Sequence, residues 1–509
     1  MNCVVGVDLG TTATKAALFD DSGNLLASAS EPSKLLYPKP GWVEQDPESF
    51  YTSTCNTIRE IVRASAIDAR DVKAISISGQ MAGIIGIDSK WRAVTHYDSW
   101  LDTRCEKYVQ QIREGYEDKV LRLSGLPTDV AHCAKILWWK NEAPEVFGSI
   151  KKFIQPAAYV AGRLANLSAS EAFIDYTYLH FTGLYDARET SWSTELCSDL
   201  GVPVELLPKI VEPWTVVGSI STLASRECGL KDGTAIAAGA GDQAASFLGA
   251  GIVEPGLAVD VAGTASVLAC CVADYRPDLT HKILFIAKAV ARSLWYPHTF
   301  IRGGGLCLRW FRDNILRPDH HEIDNMYRTL DEESKDLPAG SDSLFFVPHL
   351  GGRQSPYHND TRGTWAGLSW GHDRRHLYRS ILESIAYEYS YFLRIERSLF
   401  PEVNFKEIRV FGGGAKSDVF NQIKANVLGI PYVQITRDEV GELGSAIIAG
   451  YAIGLFEDIA ETAGSFVDTK SRVEPNMKLH ERYVAFAQLY TELTDRVAPM
   501  YENMAHSTS

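Results

Sequence analysis

The sequence predicts an α/β protein built of two related domains that face one another across a central cleft, and three observations carry that prediction. The chain of 509 residues exceeds what one hydrophobic core supports. Strand-like and helix-like periodicities alternate along it. A pattern of apolar strand, Gly-Thr turn and apolar strand occurs twice, at residues 4–18 and 257–267.

The composition narrows the function classes. With 45% hydrophobic and 22% charged residues the chain is that of a globular protein. Its 64 acidic and 50 basic side chains leave a formal charge of −14, which argues against nucleic acid or an anionic membrane as partner. The start lacks a basic segment followed by an apolar stretch, so no signal peptide is expected. The longest small-and-apolar region, residues 234–272, is broken by Asp242, Glu254 and Asp260 and reads as buried strands and turns, not a membrane span. The scattered cysteines, Cys3, Cys55, Cys105, Cys133, Cys197, Cys228, Cys270, Cys271 and Cys307, contain no CxxC pair and are expected to be reduced thiols in the cytoplasm.

The first strand-turn-strand reads VVGVDLGTTATKAAL. It sets one carboxylate (Asp8), a glycine (Gly10), two hydroxyls (Thr11, Thr12) and a following Lys15 at a hairpin tip. These are the groups that phosphates and a magnesium ion call for. A turn at residues 20–24 then predicts a third antiparallel strand over 25–29. Asp46, Pro47 and Glu48 read as N-cap, first helical residue and dipole-matching acid, with Tyr51, Cys55, Ile58 and Val62 forming one apolar face. The strand over 72–78 ends in Ser78-Gly79-Gln80-Met81-Ala82-Gly83. The loop after it holds Asp98, Trp100, Asp102 and Arg104. A tryptophan beside Gln, Asp and Arg offers stacking and bidentate hydrogen bonds to a sugar, although a solvated loop with a half-buried Trp fits the same residues.

Residues 135–147 and 153–164 read as amphipathic helices, and 189–219, rich in proline, as loop and short helix. A strand over 234–239 turns at Ala240-Gly241-Asp242-Gln243 into a helix. Asp242 stands where an N-cap would, which needs no function; flanked by small residues at the end of a strand, it is also placed to be a general base. Gly239, Gly241 and Ala244, with Asp260 further on, imitate a dinucleotide fingerprint, but an acid on the turn would repel a pyrophosphate. In the second Gly-Thr hairpin Asp260 lies three residues before Gly263, whereas Asp8 lies two before Gly10. Neighbouring strand residues point to opposite faces, so Val261 occupies the place of Asp8 and only the first hairpin is expected to hold metal. Finally, a strand over 408–411 runs into Gly412-Gly413-Gly414-Ala415 before a helix over 418–428, a strand-loop-helix covers 432–451, and 477–502 reads as helix with a disordered tail at 506–509.

These pieces together resemble the FGGY family of carbohydrate kinases, nearest to its xylulokinase-like members. The most specific segment is Gly363-Thr364-Trp365-Ala366-Gly367-Leu368 with His376-Leu377 and Ser380-Ile381-Leu382-Glu383. The amino-terminal signature is matched at Lys135, Ile136, Trp138, Asn141 and Glu142 and departed from at Val130 and Trp139. The resemblance implies two domains of the actin, hexokinase and Hsp70 (ribonuclease H-like) type, at residues 1–252 (sugar, phosphate and metal side) and 253–509 (nucleotide side). It implies phosphorylation of a terminal hydroxyl of a small sugar or polyol by ATP with Mg²⁺.

By the same resemblance, Asp8 is at the metal; Gly10, Thr11, Thr12, Lys15, Gly263 and Thr264 line the phosphates; and Gly412, Gly413, Gly414 and Ala415 face the adenosine. Asp242 is the base, and Gln80, Met81, Trp100, Asp102, Arg104, Asp242 and Gln243 meet the acceptor. The partner implied is a small molecule, with a homodimer compatible. Ala82 stands where xylulokinases carry histidine, and Glu442 where the family usually has a small residue. A ketopentose such as xylulose is the first expected acceptor; a tetritol, ribulose or glycerol is the alternative. An actin- or Hsp70-like ATPase and a non-catalytic sugar binder are the readings from other classes.

Overall fold

Two twisted sheets with the same internal plan organise the chain, as seen in a computed structural model that describes residues 2–127, 131–319 and 321–507. Val130 and the last two residues of the expected disordered tail lie outside the described residues. The first sheet holds β1 (Cys3–Leu9), β2 (Ala13–Asp20), β3 (Leu25–Pro32), β4 (Val72–Gly79), β5 (Val216–Ser219) and β6 (Ala235–Gly241), in the order β5-β6-β4-β1-β2-β3. β1, β2 and β3 are antiparallel neighbours, β1, β4 and β6 run parallel, and β5 closes the edge antiparallel.

The second sheet repeats this plan with β7 (Leu257–Ala262), β8 (Ser266–Cys270), β9 (Phe285–Lys288), β10 (Trp295–Ile301), β11 (Glu407–Phe411), β12 (Tyr432–Ile435) and β13 (Thr469–Val473). Their order is β9-β10-β8-β7-β11-β12-β13. Again three antiparallel strands, β10, β8 and β7, give way to parallel β11 and β12 and an antiparallel edge, with β9 added outside. The two Gly-Thr hairpins are thus equivalent parts of equivalent sheets. Every residue of β1 is buried but Asp8, and every residue of β7 but Val261. The one open position in each strand lies two residues before the turn glycine, as the alternation argument required.

Helices cover the sheets. α1 (Pro47–Ser65) starts as expected: Asp46 accepts the Glu48 N–H at 3.0 Å and Pro47 opens the first turn. α2 (Glu106–Ser124), α3 (His132–Glu142) and α4 (Pro156–Ala165) follow. The helix expected over 153–164 begins late, because residues 152–154 form a short strand against 85–87 and Pro156 sets the true first turn. The proline-rich stretch 189–219 contributes strands as well as loop, including β5, where pairing with β6 overrides its weak local signal.

α5 (Asp242–Gly249) leaves β6; α6 (Arg374–Leu399), α7 (Asp418–Leu428), α8 (Val440–Ala452) and α9 (Met477–Ser507) belong to the second half. α9 runs past residue 502 into the segment expected to be disordered. α8, although late in the chain, packs on α5 and on β1 and β4 of the first sheet. The crossing is so close that a Cβ on Gly444 would lie 1.9 Å from the Ala245 carbonyl oxygen, so only glycine fits there. Among the described residues no helix is long and apolar enough to cross a membrane. All nine cysteines are free and buried.

Candidate active site

The carboxyl ends of β1, β4 and β6 come together at one edge of the first sheet, the place where open α/β sheets bind their ligands. Register puts Asp8 beside Ser78 and Gly79 beside Gly241, so the first Gly-Thr turn, the Gln80 loop and the start of α5 are neighbours. The turn is closed by the Gly10 N–H donating to the Ala13 carbonyl at 3.0 Å. Asp8 accepts the Ser78 hydroxyl at 3.2 Å and pairs across the hairpin with Lys15, an exposed side chain on β2. Burial pushes the Asp8 carboxyl above the usual carboxylate range, with Lys15 and Ser78 acting against it. Thr12 is exposed, and its carbonyl accepts the Ser33 N–H.

A polar relay fastens this turn to the neighbouring loops. The Trp100 indole N–H donates to Thr11 Oγ1 at 3.0 Å, Thr11 donates to Gln80 Oε1 at 3.3 Å, and Gln80 Nε2 donates to Gln45 Oε1 at 2.7 Å. Gln45 was not singled out from the sequence; its only signal was a polar residue in an otherwise structural approach to α1. Met81 lies against Gly241, where a Cβ would come within 2.4 Å of its Cε, and its carbonyl accepts the Tyr97 hydroxyl at 3.2 Å.

Asp102 and Arg104 are locked to one another. The guanidinium binds both Asp102 oxygens at 2.7 to 2.9 Å and Glu44 at 2.6 Å, and lies 3.7 Å from the centroid of the Trp42 ring. Asp102 also accepts the Arg104 backbone N–H at 3.0 Å and the Val43 N–H at 2.7 Å. Trp100, Asp102 and the buried Lys135, with Phe300, Arg302 and Gln354 from the second half, line a cavity of about 760 Å³ between the two halves. Lys135 donates to the Ser99 carbonyl at 3.0 Å.

Asp242 is the first residue of α5, and Gly241, not Asp242, is its N-cap. The N-cap expectation fails because the chain stays extended through Gly241, whose N–H is held by Thr177 Oγ1 at 2.8 Å. One Asp242 oxygen accepts the Gln243 N–H at 2.7 Å. Burial first and the Asp8 carboxylate second push the Asp242 carboxyl up to about 8. Gln243 Oε1 is a buried acceptor with no protein donor. Such an atom costs free energy unless a ligand or water supplies the donor.

A second cavity, of about 870 Å³, lies at the second hairpin. Gly263, Thr264, Gly413 and Gly414 line it, while Ala415 is buried and Gly412 packs its backbone on Ala262. Its outer wall carries Lys416, next to the glycine turn, and Arg309, Arg312, Arg328, Tyr327 and Asp331, which sequence reading missed because they lie on helices with no motif of their own. Asp260 is elsewhere: its carboxylate is buried, bonded to Lys424 and, at 2.7 Å, to the Tyr389 hydroxyl. The metal-type acid is therefore present in the first hairpin and absent from the second.

Cations and oxygen acceptors are thus distributed as a phosphate donor and a polyol acceptor would need them. Asp8, with one hydroxyl bonded to it and an open edge beside it, fits a Mg²⁺ ion that takes most of its remaining ligands from phosphate and water.

Family models match both halves of the chain: that for the FGGY family of carbohydrate kinases, N-terminal domain, covers residues 3–249, and that for the C-terminal domain covers residues 261–453. The chain is 27% identical over 495 residues to a xylulose kinase of Bacillus subtilis (strain 168), covering 97% of each. It is 26% identical over 512 residues to a gluconokinase of the same organism, covering 99% of this chain and 97% of the relative. The crystal structure of ligand-bound xylulose kinase from Lactobacillus acidophilus superposes with a TM-score of 0.90 at 28% identity, covering 99% of this chain and 100% of that one. Two equivalent sheets, a Gly-Thr hairpin in each, and family models spanning both place this protein in the FGGY family of carbohydrate kinases.

Proposed function

We propose that this carbohydrate kinase transfers the γ-phosphate of ATP, with Mg²⁺, to a terminal primary hydroxyl of a ketopentose such as xylulose. The observation that carries the reading is Asp242, a carboxyl of raised proton affinity at the head of α5 and next to the Asp8 hairpin. Phosphoryl transfer asks chiefly for positioning and charge neutralisation. Asp242 accepts the hydroxyl proton as the oxygen attacks phosphorus; Gln243 and the loop of Gln80, Met81 and Trp100 orient the acceptor, with Asp102 and Arg104 stiffening that loop. Gly10, Thr11, Thr12, Lys15, Gly263 and Thr264 receive the phosphates, and Gly412 to Ala415 the adenosine. Mg²⁺ at Asp8 supplies neutralisation of phosphate charge. Residues 1–252 then form the acceptor and metal side and 253–509 the nucleotide side, and closure on the 760 Å³ cavity excludes water.

Xylulose kinases among the relatives support the ketopentose. One observation favours a second reading: Ala82, buried at φ +61°, supplies no imidazole at the acceptor loop, which suits a tetritol, ribulose or glycerol. The unpaired, buried cysteines support a cytoplasmic setting. The deciding experiment measures ADP release with Mg·ATP against xylulose, ribulose, glycerol, erythritol and gluconate. The highest kcat/KM with xylulose is expected; a higher value with any other acceptor replaces the ketopentose, and ADP release independent of acceptor overturns the kinase mechanism.

A further inference from the structure

Glu442 is a charged side chain close to Asp8 to which the mechanism above gives no task. Side chains alternate across a strand, and β1 and β2 pair with Asp8 opposite Lys15, so Gly6, Asp8 and Lys15 share one face of the sheet. The start of α8 covers that face. A Cβ on Gly6 would lie 1.8 Å from the Glu442 carbonyl oxygen, and one on Gly441 would lie 3.8 Å from Asp8 Cγ. The Glu442 side chain leaves the helix at this crossing and is 3% exposed.

An acid in a first helical turn is ordinarily a solvated partner of the helix dipole. Glu439, at the N-cap of the same helix, behaves that way, accepting the Ser28 hydroxyl at 3.1 Å in an exposed position. Glu442 is instead buried. The charges acting on it are Asp8, Lys15 and Glu439, and among the described residues no other side chain bonds to its carboxylate. The donor to its carboxylate is its own backbone N–H, and a buried carboxylate held by so little beside another carboxylate is costly unless a cation joins it. Mg²⁺ held against substrate phosphates takes one or two protein carboxylates and keeps its other positions for phosphate and water. Among the described residues no three His, Cys, Asp or Glu groups make a cage, so a pair is what this chain can offer.

We propose that Glu442 is the second carboxylate of the metal site, sharing with Asp8 the negative charge that holds a divalent cation between β1 and the start of α8. The proposal rests on the kinase reading of this cleft and adds a residue from the far half of the chain to the metal side.

Mn²⁺ binding to the protein with ADP, followed by electron paramagnetic resonance, tests it without any turnover. Glu442→Gln, nearly the same shape without the charge, is expected to weaken Mn²⁺ about tenfold or more while ADP binding in EDTA is unchanged. Asp8→Asn is expected to act alike, and Glu439→Gln to leave Mn²⁺ affinity as it was. Should Glu442→Gln unfold the protein, Glu442→Asp, which keeps the charge but draws it back, is expected to give an intermediate loss. Wild-type Mn²⁺ affinity in a folded Glu442 variant overturns the proposal and leaves the residue as a counter-charge for Lys15. A wild-type protein that binds no ADP overturns the nucleotide reading itself.

Discussion

Trp100 donates its indole N–H to Thr11 Oγ1 over 3.0 Å, joining the acceptor loop to the first Gly-Thr turn across 89 residues of chain. With the Thr11–Gln80 bond, it ties the loop proposed to receive the acceptor to the turn proposed to receive phosphate. Trp100→Phe keeps the ring and removes the donor, and Thr11→Val removes the acceptor. Either change is expected to raise KM for acceptor and for ATP together by about fivefold, the worth of one hydrogen bond of ~1 kcal/mol. Steady-state kinetics of both single variants and the double variant check this. A double variant no worse than either single one is the signature of a shared bond.

Asp242→Asn is expected to lower kcat by ~10²–10⁴ with ADP affinity retained, the loss typical of a missing general base. Calorimetric ADP binding and coupled-assay turnover on one preparation separate the two effects. Near-normal turnover would remove Asp242 from its role.

The same substitution has a stability signature. An acid whose pKa is raised to about 8 binds its proton more tightly folded than unfolded, so its contribution is fullest below the ordinary carboxylate pKa and is lost as pH climbs to about 8. Without nucleotide or metal, Asp242→Asn is therefore expected to melt ~1–3 °C above the wild type at pH 8, the gap closing toward pH 4. Thermal melts across that range measure it; a constant gap would mean that the carboxyl is not strained by ionisation.

Lys424 and Asp260 form an ion pair in the core of the second half, both fully buried. Lys424→Met strands the Asp260 charge and is expected to cost ~3–5 kcal/mol in urea unfolding. Adding Asp260→Asn, which keeps a polar group for the Tyr389 hydroxyl, is expected to recover part of that loss.

Local features were legible early because their causes are local. The hairpin at Gly10 and the Asp46 cap follow from residues within a few positions of each other. Even the unlike fates of Asp8 and Asp260 follow from a period of two counted back from a glycine. The start of α4 and the N-cap of α5 were misjudged where pairing with a distant strand or a bond from Thr177 outweighed propensity.

By itself, then, the sequence determined the two Gly-Thr hairpins, their shared α/β plan and the placing of an acid at only one of them. Tertiary structure alone decided what surrounds that acid. It brought α8 back across the first sheet so that Gly441, beside Glu442, comes up against Asp8 from more than 400 positions away, joined Trp100 to Thr11, and closed Arg104 on Glu44. The physical reason is that periodicity fixes the face a side chain takes, whereas its partner depends on which elements pack together, and that is settled by burial summed over the whole chain.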